Sequence, residues 1–192
     1  MPRIIVVGSS CAGKSTLAQK LSAAFGLHYI QLDALSWLPN WVERDNASFL
    51  ELLAQEANTH EHWVVDGNYS RTHHITWAKA DVIVWLNYSY PLVLWRALTR
   101  TVRRVSTKEL LFAGNVETVR RSFLSKDSIL LWVIKTFHYR RRRYIDIRAK
   151  NEYDHIQWIE LRRPRQVADL MVQLTELYPM PSANHSGKID SV

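Results

Sequence analysis

Apolar positions along the chain fall into two alternating patterns. Short β-branched or apolar runs occupy 3–7 (Ile4, Ile5, Val6, Val7), 28–32, 63–65, 81–86 and 153–161, and each reads as a strand. The run Val82, Ile83, Val84 and Trp85 suits a strand covered on both faces. Between these runs the period becomes helical. Residues 14–25 set Leu17, Leu21, Ala24 and Phe25 on one face and stop at Gly26, and 46–59 repeat Phe49, Leu50, Leu53 and Ala57. Pro91 opens a helix to about 105, at a position where proline is tolerated. A helical stretch over 108–123 breaks near Gly114 and Asn115. A long helix is predicted over 128–149, with Ile129, Trp132, Val133 and Phe137 apolar, and a last one begins at Pro164.

Strands alternating with helices predict an α/β fold in three layers, a five-stranded parallel sheet with helices on both faces. One domain spanning 1–178 is expected, followed by a flexible tail at 179–192 rich in Pro, Ser, Asn and Gly. Ligands of such sheets bind at the carboxyl ends of the strands. Gly8, Asp33, Asp66 and Asn87 each fall just past a predicted strand, so the pattern gathers them at one edge.

Composition narrows the class. A hydrophobic fraction of 47% excludes a disordered chain, and a single cysteine excludes both a disulfide framework and a cysteine-rich zinc site. No apolar run reaches the ~18 residues of a membrane span, so a cytoplasmic protein with no membrane partner is expected. The net charge of +7 would suit a polyanion partner, but its distribution is uneven. Residues 96–150 hold 15 basic and four acidic residues, a balance of +11, and the remainder carries −4.

The chemistry begins at Gly8-Ser9-Ser10-Cys11-Ala12-Gly13-Lys14-Ser15, which fits the phosphate-loop pattern G-x-x-x-x-G-K-S between a predicted strand and helix. The glycines let backbone N–H groups curl around a phosphate, Lys14 reaches the β- and γ-phosphates, and the Ser15 hydroxyl ligates Mg²⁺. Thr16 continues the loop into the helix N-terminus, whose dipole favours an anion. ATP and Mg²⁺ are the cofactors expected. Cys11 lies inside the loop either as a small side chain that fits or as a thiol whose oxidation would block nucleotide binding.

With this loop, the stretch Leu32-Asp33-Ala34-Leu35-Ser36-Trp37-Leu38-Pro39-Asn40-Trp41, the segment Val64-Val65-Asp66-Gly67-Asn68-Tyr69, the run Ala80-Asp81-Val82-Ile83-Val84-Trp85-Leu86, Arg96 with Arg100, and Gly114-Asn115-Val116-Glu117, the chain resembles the adenylate-kinase-like P-loop nucleotide kinases. More narrowly it resembles the bacterial branch labelled DNA-topology-modulation or adenylate-kinase-related proteins. The resemblance covers about residues 3–178. It implies the P-loop NTPase fold with an acceptor-binding insertion at about 34–60 and a helical lid at about 104–127. The implied activity is an ATP-dependent kinase acting on a nucleotide or small hydroxyl acceptor, and the family default is a monomer.

The resemblance also implies roles. Asp66 would hold Mg²⁺ beside Ser15 and, with Gly67 and Arg71, border the acceptor. Three residues separate Gly67 from Arg71 where adenylate kinases have Phe-Pro, which leaves the role of Arg71 open. Asp33 would serve as a base or as a substrate anchor. Trp37 would stack on an acceptor or pack the insertion, together with Trp41. Arg96 and Arg100, four apart on one helix face, match arginines that flank the ATP base and phosphates, and Arg120 and Arg121 fall in the lid or its return. Arg162 would contact the nucleotide.

Arg140-Arg141-Arg142-Arg143 lies on a predicted helix, where successive residues fan ~100° apart. At most two of the four can face one site, and Arg140 or Arg143 is expected to turn toward phosphates. His60, His62, His73, His74, His138, His155 and His185 show no pairing with Cys or carboxylates at metal spacing. Two rival readings remain at this stage: an ATP-binding nucleic-acid-associated regulator, and an NTPase without a small-molecule acceptor.

Overall fold

The computed structural model describes residues 1–107, 111–115 and 128–179. In chain order the elements are β1 (Ile4–Gly8), α1 (Lys14–Phe25), β2 (His28–Gln31), α2 (Leu32–Ser36), β3 (Trp37–Leu38), β4 (Val42–Glu43), α3 (Asn46–Thr59), β5 (Trp63–Asp66), α4 (His73–Thr76), β6 (Val82–Leu86), α5 (Tyr90–Thr107), α6 (Ile129–Lys150), β7 (Gln157–Leu161) and α7 (Gln166–Leu177). Five strands form one parallel sheet in the order β2-β5-β1-β6-β7. The predicted α/β architecture is therefore present, with the five expected strands in one sheet.

Side-chain alternation along β1 separates the core into two layers. Ile4 and Val6 pack with Leu17, Leu21 and Phe25 of α1, Val93 and Ala97 of α5, and Leu170 and Leu174 of α7. Ile5 and Val7 face the other way, toward Phe49 and Leu53 of α3 and toward Trp63, Trp77 and Trp85. Most of these side chains are wholly enclosed, each burial contributing about 1.5–3 kcal/mol. Helix α6 reaches both layers, with Val133 and Phe137 in the first and Tyr144 in the second.

The insertion after β2 holds structure that the hydrophobic pattern did not predict. Helix α2 starts directly at the end of β2, and β3 pairs antiparallel with β4 as a small hairpin. Its turn carries Asn40 and Trp41 at φ near +60°. The backbone N–H of Trp41 donates to Asn115 Oδ1 at 2.9 Å, and Asn115 Nδ2 donates to Leu38 O at 2.9 Å. Buried Asn115 thus secures the hairpin turn from a segment the sequence had assigned to the lid. Of the expected lid, 104–107 end α5, whereas 108–110 and 116–127, including Val116, Glu117, Arg120 and Arg121, lie outside the described residues, as does the tail beyond 179. Among the described residues no helix is long and apolar enough to cross a membrane.

Candidate active site

The loop between β1 and α1 turns on two glycines. Gly8 sits at φ 147°, and a Cβ there would stand 2.8 Å from the Leu86 carbonyl oxygen of the adjacent strand. Gly13 sits at φ 101° and precedes α1 without a side-chain cap, leaving first-turn N–H groups to meet a ligand. Cys11 also takes a left-handed conformation, φ 62°, uncommon for a residue with a Cβ. Lys14 Nζ donates to Ser9 O at 3.2 Å, so the lysine lies along its own loop.

One side chain clamps the start of this loop. Asn68 Oδ1 accepts from Gly8 N–H at 3.3 Å, and Asn68 Nδ2 donates to Gly8 O. The Tyr144 hydroxyl of α6 donates to the same Oδ1 at 2.8 Å. Burial pushes the Tyr144 phenol up to about 12, so it remains a donor at neutral pH.

Two carboxylates face the loop. Asp66 ends β5 and is buried, with the Tyr29 hydroxyl 3.4 Å from its Oδ2. Burial raises the Asp66 carboxyl above its ordinary range, opposed by the charge of Lys14 and by the Ser15 hydroxyl. Burial also lowers the Lys14 ammonium, opposed by Asp66 and Asp33. Asp33 sits in the first turn of α2 and accepts from the Tyr69 hydroxyl at 2.9 Å. The Asp66 Oδ1 atom is buried without a protein hydrogen-bond partner, and Asp66, Asp33 and Ser15 bring oxygen ligands to the cleft, a set suited to Mg²⁺.

Arginines of α5 form the opposite wall. Arg96 Nη1 donates to the Ala12 carbonyl of the loop at 2.6 Å, and its guanidinium lies 5.2 Å over the Tyr88 ring. Arg100, Arg103 and Arg104 continue along the wall, and Arg100 Nε is buried without a hydrogen-bond partner. Ser10 to Leu17, Asp33, Asp66 and these arginines enclose a cleft of about 680 Å³, to which Pro164 and Val167 contribute from the start of α7.

Several expected site residues lie elsewhere. Trp37 and Trp41 meet edge to face, ring centres 5.6 Å apart, within the hairpin segment. Gly67, at φ 148°, is pressed against Leu32, where a Cβ would meet Cδ1 at 2.7 Å. Arg71 stacks 4.4 Å over Phe49, donates to Glu43 at 2.8 Å and approaches Ser36 Oγ at 3.4 Å, which ties the hairpin to the body. Arg162 is exposed and bonded to Glu160 at 2.7 Å, outside the cleft. In the arginine run, Arg141 and Arg142 are exposed, while Arg140 and Arg143 are half-buried. The charge of Arg140 bears on Lys14, and that of Arg143 bears on His73.

Tyr29, Asn68, Tyr69 and Tyr144 were missed as site residues. Asn68 and Tyr69 stand in the quoted segment after β5, but their hydrogen-bond partners are 36 to 76 positions away. The histidine expectation needs correction for His60, whose ring lies beside His28 and Glu56. Glu56, in the last turn of α3, and His60, one residue past its end, are four apart, a spacing visible in the sequence.

The sequence matches no protein-family model and no curated protein. Among solved structures, the fold is similar to that of a gluconokinase from Sinorhizobium meliloti 1021, at 17% identity and TM-score 0.51, covering 92% of this chain and 94% of the other. It is equally similar to a shikimate kinase from Bacteroides thetaiotaomicron, at 17% identity and TM-score 0.51, covering 93% and 99%. At this identity the likeness carries the architecture alone, and it agrees with the strand order and the loop geometry: the chain has the fold of P-loop kinases.

Proposed function

We propose that the chain is an ATP-dependent phosphotransferase that moves the γ-phosphoryl group to a nucleotide or small hydroxyl acceptor. The observation that carries this reading is the convergence of Lys14, Asp66, Asp33 and the α5 arginines on one cleft at the carboxyl edge of the sheet. Both structural neighbours are named as small-molecule kinases, which supports a small acceptor over a polymer.

Phosphoryl transfer depends mainly on positioning and charge neutralisation. The loop N–H groups and Lys14 hold the phosphates, while Arg96 and Arg100 supply further positive charge from the facing wall. Mg²⁺, held by Ser15 and Asp66, would neutralise charge on the β- and γ-phosphates. Asp33, fixed by Tyr69, accepts the hydrogen bond of the acceptor hydroxyl and aims its oxygen at the γ-phosphorus. The new bond forms at the acceptor oxygen, whose proton leaves by way of Asp33 to solvent, the bond to the β–γ bridging oxygen breaks, and ADP leaves. Gly67, Arg71, Trp37, Arg143 and Arg162 lie outside this cleft and take no step in the transfer.

A coupled assay with ATP, Mg²⁺ and a panel of nucleoside monophosphates, nucleosides and small hydroxy compounds tests the reading. One acceptor is expected to stimulate ADP release, and Lys14→Ala is expected to abolish transfer with an unchanged circular dichroism spectrum. Undiminished transfer by Lys14→Ala would overturn the assignment. Hydrolysis that no acceptor stimulates would point instead to an NTPase without a small-molecule acceptor.

A further inference from the structure

The histidine cluster lies on the far side of the molecule from the cleft. His28 opens β2, the edge strand of the sheet, at the end opposite the phosphate loop. Glu56 and His60 occupy the last turn and the C-terminal boundary of α3, which packs over that strand. The ligand-capable atoms of the three residues all lie within 4.8 Å of one another. His28 Nε2 is 2.5 Å from Glu56 Oε2, and the two imidazole rings stack with centres 3.5 Å apart. Among the described residues this is the single His, Cys or carboxylate group with such proximity.

We infer that His28, Glu56 and His60 form a zinc site that clasps α3 to the edge strand. Two imidazoles and one carboxylate are a ligand set that zinc accepts, with water in the fourth tetrahedral position. The tautomer of His60 is already set for it. His60 Nδ1 lies 3.3 Å from the Glu56 carbonyl oxygen, which can only accept. The proton therefore resides on Nδ1 and the Nε2 lone pair is free, the arrangement that outer hydrogen bonds impose on metal-bound histidines. Glu56 stands in the last turn of α3, and His60, one residue past the helix in extended backbone, folds back onto it through the Glu56 carbonyl. The His28 backbone is fixed independently, its N–H donating to the His62 carbonyl at 3.1 Å.

Two ligand atoms around one zinc stand roughly 3.3 Å apart in a tetrahedron and each imidazole lone pair lies in its ring plane, so the ion enters as the His28–Glu56 hydrogen bond opens by about 1 Å and the two stacked rings turn until their planes meet at the metal. The shared proton of that bond leaves to solvent. All three side chains are half-buried, which leaves room for this shift. The oxygen-only set at Ser15 and Asp66 belongs to a different class of ion, so the two sites differ in chemistry as well as in position.

Titration calorimetry of the chelator-stripped full chain with zinc chloride, in millimolar Mg²⁺ to occupy oxygen sites, tests the inference. One equivalent is expected to bind. His28→Ala, Glu56→Gln and His60→Ala should each weaken it by about 10-fold or more, whereas His138→Ala and Lys14→Ala should not. Cobalt in place of zinc should give the visible bands of a tetrahedral ion, and Glu56→Gln, a near-isosteric change, should lose them. Zinc should also raise the melting temperature of the native chain and not that of His60→Ala. No saturable binding, or binding unchanged in all three variants, would overturn the site. Neither result depends on whether the cleft transfers phosphate.

Discussion

Asn68 joins the two halves of the candidate site through a single amide. It closes both polar atoms of Gly8 and is itself held by the Tyr144 hydroxyl. Gly8 cannot take over this constraint, because its φ of 147° and the 2.8 Å approach of Leu86 O leave no room for a side chain. Tyr144→Phe removes one hydrogen bond and keeps the ring in its aromatic layer. The expected cost is about 1 kcal/mol, or a fall of roughly 2–4 °C in melting temperature. Asn68→Ala leaves the Gly8 N–H and C=O unpaired and should cost more, about 1–3 kcal/mol. Melting curves together with nucleotide titration check both. A Tyr144→Phe protein that melts lower but binds nucleotide unchanged would confine the clamp to stability. The phosphate loop was legible because its spacing is local. The clamp was not, since nothing near Asn68 in sequence names a partner 76 positions away.

At the scale of elements, legibility followed length. Helices α1 and α3 occupy the predicted spans residue for residue, because each presents several apolar positions at one period. Helix α2 has five residues and strands β3 and β4 have two each, too few to repeat any period. Those short pieces are held by distant partners, Asn115 on the hairpin turn and Arg71 on Glu43. Helix α6 shows the complementary case, in which geometry resolves what composition cannot. Its four arginines fan around the axis, and only Arg140 bears on Lys14, with its guanidinium 5.6 Å over the Trp132 ring. If Arg140 meets phosphate when nucleotide binds, Arg140→Ala should weaken ATP binding by about 10-fold, the worth of one charge-assisted hydrogen bond. Arg142→Ala should leave it unchanged. Salt-steep DNA binding that falls in an Arg141→Ala, Arg142→Ala double variant and ignores ATP would favour the polyanion reading instead.

Over the whole molecule, the described basic residues of 96–150 include four that line the cleft from α5 and Arg143 on α6, whose charge reaches the second core layer, while Arg141 and Arg142 are exposed. In that layer the charge of Arg143 meets a histidine. The His73 ring stacks on Trp77 with centres 3.9 Å apart, beneath the charge of Arg143 and beside His74. Burial, then Arg143, then His74 hold its imidazole down to about 4, against about 6.5 in an unfolded chain. As pH falls, the unfolded chain takes up this proton near 6.5 and the folded chain only near 4. Between those values the unfolded state binds more protons, so His73 makes the fold less stable as the solution is acidified. Asp66 acts in the opposite sense above its ordinary carboxylate range, because its raised carboxyl protonates in the folded state first. The measurement must therefore isolate His73 by difference. His73→Phe keeps an aromatic ring on Trp77 and removes the titration. The denaturation midpoint of the native chain should fall relative to this variant from pH 6.5 to 4, and the gap should be constant above pH 7. A gap that does not change across the window would mean that His73 titrates alike in the folded and unfolded chains, so that neither its burial nor the charge of Arg143 holds its proton off.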